Sequence, residues 1–140
     1  MDKKKAYNEG CAAFALGRET VKKLEEARKW GIADIFGGGI IASKNKLDRI
    51  KEAEGYLVEF KLQLSRFKEA CKGIKLSDES LRVDLSNQKY ESLLDNIEID
   101  CMDLAMEFGG DIHTQRMIKK TRDEIVGICG NLKDILDELA

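Results

Sequence analysis

Hydrophobic residues recur at alternating spacings of three and four along most of this 140-residue chain. Such spacing places side chains on one face of an α-helix. The clearest example predicts a helix, the second in the chain, from about Ile40 to about Lys72. Its hydrophobic face is an unbroken series: Ile50, Ala53, Leu57, Phe60, Leu64, Phe67, Cys71 and Ile74. A face sustained over more than three heptads is typical of helices that pack as in coiled coils.

The same pattern predicts two further helices in the second half of the chain. A third helix is expected from about Asn87 to Phe108, with Ser86 as its N-cap. Its hydrophobic face comprises Tyr90, Leu94, Ile97, Cys101, Leu104 and Phe108. Gly109-Gly110 ends this helix, and Asp111 can cap a fourth. The face of the fourth helix comprises Ile118, Thr121, Ile125, Ile128, Leu132, Ile135 and Leu139.

A first helix is predicted from about Lys4 to about Trp30, and one of its faces is formed by small residues. These residues recur at helical spacing: Ala6, Gly10, Ala13 and Gly17. Glycine inside a helix costs about 1 kcal/mol relative to alanine, so two glycines on one face indicate the close approach of a neighbouring helix. Larger apolar residues lie beside this line: Tyr7, Cys11, Phe14, Val21 and Leu24.

Glycine-rich corners predict how the four helices connect. Helices joined by short corners pack back on each other, so the first should pair with the second and the third with the fourth. The fold expected for residues 1–140 is a single all-α domain, an antiparallel four-helix bundle made of two long helical hairpins. The hairpins span about 4–72 and 87–140 and are joined by a connection at 73–86, which begins at Gly73 in a helix C′ position. The second helix is longer than the third, which favours association with a second chain.

Composition narrows the classes of partner. The 24 basic and 26 acidic residues are mixed along the chain, so no broad basic face predicts binding to nucleic acid. The longest apolar run, residues 35–42, is far shorter than the roughly 20 residues of a membrane span, and no signal peptide is recognised. A cytoplasmic protein is expected, with peripheral membrane contact not favoured.

The cysteines and the single histidine predict no catalytic or metal site. Cys11, Cys71, Cys101 and Cys129 fall one per predicted helix, without a CxxC pair and at different heights from the corners. Cysteine is often buried as a small apolar residue, so core thiols are expected. His113 lies in the first turn of the fourth helix with no nucleophile placed beside it. A non-enzyme without metal or cofactor is therefore predicted.

The corner between the first two helices is the most unusual segment. Three consecutive glycines, Gly37, Gly38 and Gly39, precede a helix and could present free N–H groups to an anion, aided by Lys44. The spacing is not that of a Walker A motif. The alternatives are a purely structural turn closed by apolar side chains, or contact of an exposed aromatic residue with a partner. The candidate residues are Trp30, Asp34, Phe36, Gly37, Gly38, Gly39 and Lys44.

The same corner carries a resemblance to known proteins. The pattern W-G-x-x-D-x-x-G-G-G-x-I, from Trp30 to Ile41, resembles a group of poorly characterised bacterial helical proteins. The resemblance covers Trp30 to about Cys71, with a weaker similarity from Leu81 to Lys119, and the second corner lacks the aromatic-rich stretch of the group. It implies two long helices joined by the Gly-rich corner, followed by a second hairpin, and it implies no established activity.

Two functional hypotheses follow from the sequence. The first is a protein–protein interaction or scaffold module that forms homodimers through its long hairpins or binds another protein. The second is a small-ligand or anion-binding module that uses the Gly37–Gly39 corner.

Overall fold

The computed structural model describes residues 2–33, 39–76 and 112–140 of the chain. These ranges form three helices, α1 (Lys3–Ala33), α2 (Gly39–Ala70) and α3 (Ile112–Leu139), and contain no strand. The all-α prediction is confirmed, and α1, α2 and α3 correspond to the first, second and fourth predicted helices. The predicted third helix and the second Gly-rich corner lie outside the described residues, as does most of the 73–86 connection.

Local sequence explains where α1 begins and how the chain leaves α2. The Asp2 carboxylate accepts hydrogen bonds from the backbone N–H groups of Lys4 (3.0 Å) and Lys5 (3.2 Å), which is N-cap geometry. After α2, Gly73 adopts a left-handed backbone with φ of 80°. The predicted role of Gly73 as a helix-terminating glycine is confirmed, because side-chain-bearing residues rarely adopt this conformation.

Contacts between α1 and α2 show that the two helices are antiparallel. Near the start of α1, the Gln63 amide donates hydrogen bonds to the backbone oxygen (3.0 Å) and the carboxylate of Glu9. Near the end of α1, Lys23 Nζ lies 3.1 Å from a Glu52 carboxylate oxygen. Residues early in α1 therefore lie beside residues late in α2, and residues late in α1 lie beside earlier ones in α2.

Helix α3 also packs on α1, a contact that the sequence did not predict. The contacts place Leu136 beside Gly10, Cys129 beside Gly17, and the Arg122 guanidinium 3.6 Å from a Glu25 oxygen. Helix α3 is therefore antiparallel to α1 and parallel to α2. Its length of 28 residues is close to those of α1 and α2, 31 and 32 residues. The three helices run alongside one another over about 40 Å.

The predicted hydrophobic faces of α2 and α3 form the core. Every predicted face residue of α2 from Ala53 to Ile74 is buried, and so is every predicted face residue of α3 from Ile118 to Leu139. The small face of α1 is buried too, and it continues through Thr20, Leu24 and Ala27. Thr20 satisfies its hydroxyl by donating a 2.8 Å hydrogen bond to the backbone oxygen of Leu16.

The two α1 glycines are required by close packing. A Cβ atom built at Gly10 would lie 2.6 Å from Leu136 Cδ2 and 2.7 Å from Phe67 Cε1. One built at Gly17 would lie 2.5 Å from Cys129 Sγ and 3.1 Å from Phe60 Cε1. Each glycine thus admits one side chain from α2 and one from α3 at the same level. The close approach predicted from their spacing is confirmed, and it involves two neighbours instead of one.

Candidate interaction surfaces

The Gly-rich corner lies only partly within the described residues. Trp30 is in the last turn of α1, Gly39 is the first residue of α2, and Lys44 lies in the second turn of α2. Asp34, Phe36, Gly37 and Gly38 lie outside the described residues, and so do the side chains of Trp30 and Lys44. Helix α1 ends at Ala33 and α2 begins at Gly39. Anion binding or partner contact there stays a prediction.

Two of the three thiols in the described ranges lie in the core, as the sequence predicted. Cys71 and Cys129 are buried free thiols, and Cys11 is a half-buried one. Burial raises the pKa of the Cys71 and Cys129 thiols to about 11, and the nearby Arg18 charge acts in the opposite direction on Cys129. Both are therefore neutral at physiological pH, and a neutral thiol is a poor nucleophile. Cys101 and the side chain of His113 lie outside the described residues.

A groove of about 830 Å³ runs between α1 and α3. Its floor is apolar, formed by Phe14, Val21, Val126 and Cys129. Its rim mixes positive and negative charges, contributed by Arg18, Glu19, Lys22, Glu25 and Lys133. Arg18 does not project freely, since its guanidinium carbon lies 5.8 Å from the centre of the Phe14 ring, within cation–π range.

A smaller hollow of about 350 Å³ shares Lys22 and Glu25 with this groove. Arg122 lines it and is already paired, lying 2.7 Å from Asp123 and 3.6 Å from Glu25. The hydrogen bond from Arg122 lowers the pKa of the Asp123 carboxyl. Among residues 2–33, 39–76 and 112–140, no three His, Cys, Asp or Glu side chains are grouped to hold a metal ion.

The side of α2 that faces away from the core carries an exposed apolar patch. Leu62 is 56% exposed and Val58 is 39% exposed, one helical turn apart. Gly55 precedes them by one turn, and a Cβ atom built there would meet nothing within 4 Å. Ser65 follows on the same face and is exposed. This patch is therefore small and apolar, and none of the described residues requires a glycine at position 55.

Charged residues continue the same face at both ends of the patch. Asp48 and Lys51 precede it, Glu69 and Lys72 follow it, and all four are exposed. The eight residues lie at alternating spacings of three and four and will be called the outer face of α2, although the last of them lies in the turn that follows the helix: Asp48, Lys51, Gly55, Val58, Leu62, Ser65, Glu69 and Lys72. Lys72 Nζ lies 2.8 Å from Glu69, in a pair exposed by more than 70% on each side.

Sequence reasoning missed the outer face of α2. The hydrophobic series that predicts this helix does not include its opposite side, where charged residues are frequent. The signal that could have found the patch is a second three–four series, Gly55, Val58, Leu62 and Ser65, which interrupts those charges. Val58 and Leu62 lie outside the main series, and their exposure depends on which side of α2 packs against α1.

Comparison with models of known protein families, with curated proteins and with solved structures finds no match to this chain. In the described part of the chain, no helix is long and apolar enough to cross a membrane.

Proposed function

We propose that this protein is a non-catalytic, cytoplasmic interaction or scaffold module, built as a four-helix bundle that self-associates. The observation that carries the proposal is the contrast between the two sides of α2. Its hydrophobic face is covered by this chain alone from Ala53 to Ile74, while Val58 and Leu62 are exposed on the opposite side. Exposed apolar residues grouped on a helix, bordered by charges, are typical of protein-binding surfaces.

The positions of α2 and α3 support closure of a four-helix bundle. Helix α2 ends beside the start of α1, where Phe67 contacts Gly10, and α3 begins beside the end of α1, where Arg122 contacts Glu25. In this proposal the residues between 76 and 112 return along the length of the other helices. The predicted third helix, residues 87–108, would span about 33 Å of this distance. In this proposal it packs antiparallel to α2 and α3.

The proposed self-association does not use the hydrophobic face of α2. Leu57 and Leu64, on that face, are 4% and 3% exposed in a single chain. Helix α1 is 31 residues long and covers α2 along its length, so α2 needs no second chain to bury this face. A partner, or a second copy, must contact a side of the bundle that a single chain leaves open.

The mass of the protein in solution tests this proposal. Native mass spectrometry and light scattering over a dilution series are expected to show a species of twice the 15.8 kDa chain mass. A monomer throughout the micromolar to millimolar range would contradict self-association. A bound small molecule of defined mass would contradict a module that works without a ligand and would favour the Gly37–Gly39 corner.

A further inference from the structure

We infer that two copies of this chain associate through the outer faces of their α2 helices, antiparallel, about a two-fold axis at the level of Phe60. This inference rests on the self-association proposed above and assigns it a surface and a register. It follows from the order of residue types along the outer face of α2. When two copies of this face are placed antiparallel, apolar residues lie opposite apolar ones, small residues opposite small ones, and acidic residues opposite basic ones.

The apolar centre of the outer face pairs with itself in this register. A two-fold axis at residue 60 places Val58 of one copy against Leu62 of the other, on both sides of the axis. The next layer places Gly55 opposite Ser65, two small residues that allow the helix backbones to come close. Gly55 would then have a packing reason that the described residues of a single chain do not supply, since a Cβ atom there meets none of them within 4 Å.

The charges at both ends of the face also match in this register. Lys51 of one copy lies opposite Glu69 of the second copy, and Asp48 lies opposite Lys72 of the second copy. Because the arrangement is two-fold symmetric, each of these opposite-charge contacts occurs twice. A shallow crossing angle of about 20° keeps two helices side by side over this length. In a parallel arrangement Lys51 would face its own copy, as would Glu69, so the charges favour the antiparallel register.

Two charged residues beside the axis, Glu59 and Lys61, each lie near their own copy and oppose this arrangement. Glu59 is exposed beside the axis, where it meets Glu59 of the second copy. This repulsion weakens the dimer. Glu59→Gln removes it and is therefore expected to lower the dimer Kd severalfold. Weaker association of Glu59→Gln would contradict the register.

The first test removes the apolar centre of the face. Leu62→Glu is expected to raise the dimer Kd at least a hundredfold, measured by sedimentation across a dilution series of the full chain. Its midpoint of thermal unfolding at low protein concentration should stay unchanged, because the Leu62 side chain is 56% exposed. Val126→Glu is the matched control, since Val126 on α3 is 51% exposed; the Kd of this variant should equal that of the unmodified protein.

The second test reverses charges to check the register. At low salt, where such contacts are least screened, Lys51→Glu and Glu69→Lys are each expected to raise the Kd at least tenfold. The double variant Lys51→Glu/Glu69→Lys restores opposite charges in an antiparallel dimer and should return the Kd to within about threefold of the unmodified protein. A parallel dimer would show no such restoration. Lys133→Glu, an exposed reversal on α3, is the control and should have no effect.

These outcomes separate the inference from the proposal on which it rests. If the unmodified protein is monomeric at every concentration, self-association itself is wrong. If it is a dimer whose Kd is unchanged by Leu62→Glu, or is raised instead by Val126→Glu, self-association stands and the α2 surface is wrong. A dimer dissociated by Leu62→Glu but not restored by the charge swap would contradict the antiparallel register.

Discussion

The glycines of α1 and α2 occupy opposite environments, and the difference shows how one residue type reports on packing. Gly10 and Gly17 are buried in α1 and each meets side chains from both neighbouring helices. Gly55 is exposed on the outer face of α2 and meets nothing within 4 Å. Each costs its helix about 1 kcal/mol relative to alanine. In α1 the packing of this chain explains that cost, whereas at Gly55 no contact among the described residues does.

The largest expected effect comes from removing the Phe67 ring, which packs beside Gly10. Phe67→Ala should lower the free energy of unfolding by about 4 kcal/mol, because it leaves a cavity between α1, α2 and α3. Urea denaturation followed by circular dichroism measures this change. The control is Leu62→Ala on the exposed side of the same helix, expected to change stability by less than about 0.5 kcal/mol at concentrations where the protein is monomeric. Equal losses for the two variants would contradict the assignment of inner and outer sides.

A substitution at Gly10 should act by overfilling the same space. Gly10→Val is expected to lower the free energy of unfolding by about 3 kcal/mol, since the added carbons collide with Phe67 and Leu136. Combining it with Phe67→Leu should recover part of this loss, and double-mutant analysis of the urea curves measures the coupling. Strict additivity of the two substitutions would show that they do not share one space.

The same small change should have opposite signs at the two kinds of glycine. Gly55→Ala is expected to raise the free energy of unfolding of the monomer by about 1 kcal/mol, because it gains helix propensity and its Cβ atom meets none of the described residues within 4 Å. Gly10→Ala, its matched control, is expected to lower it, because its Cβ atom would collide with Phe67 and Leu136. Thermal unfolding of both variants at low protein concentration measures the two changes in stability. Stabilisation by both substitutions would contradict the close packing of α1.

The last expected effect is a loss of stability at alkaline pH, which also reports on the inner side. Burial raises the pKa of the Cys71 and Cys129 thiols from 9.0 to about 11 in the folded protein. The stability they contribute is fully present below the unfolded pKa, near pH 9, and is lost as pH rises through about 11. Unfolding midpoints should therefore fall over this window, and fall less in a Cys71→Ala/Cys129→Ala variant. An equal decline in both proteins would assign the loss to other groups.

Much of the inner architecture could be predicted from the sequence. The three–four series that predicted α2 and α3 gave helix ends within about three residues of those observed, and the face residues from Ala53 to Ile74 and from Ile118 to Leu139 are buried. Such long, periodic segments are predictable because helix formation and burial impose the same spacing. The role of Gly73 was predictable for a local reason, because glycine readily adopts the left-handed backbone that is found there.

The candidate site could not be predicted in the same way. The Gly37–Gly39 corner drew attention because of its unusual sequence, whereas the outer face of α2 consists of ordinary residues among charges. Its significance depends on two facts that a linear pattern lacks: that Val58 and Leu62 are exposed, and that nothing lies near Gly55. Burial on one side of a helix does not determine what contacts the other side.

The sequence alone determined the secondary structure of the described residues, the side of each helix that enters the core, and the close packing at Gly10 and Gly17. These are local or periodic properties, set by helix geometry and by the transfer of apolar side chains out of water. Only the tertiary structure decided that α3 packs on α1, that Phe67 and Leu136 meet at one glycine, and that Val58 and Leu62 are left exposed. These depend on which helices become neighbours, and similar hydrophobic faces can pack against one another in more than one order.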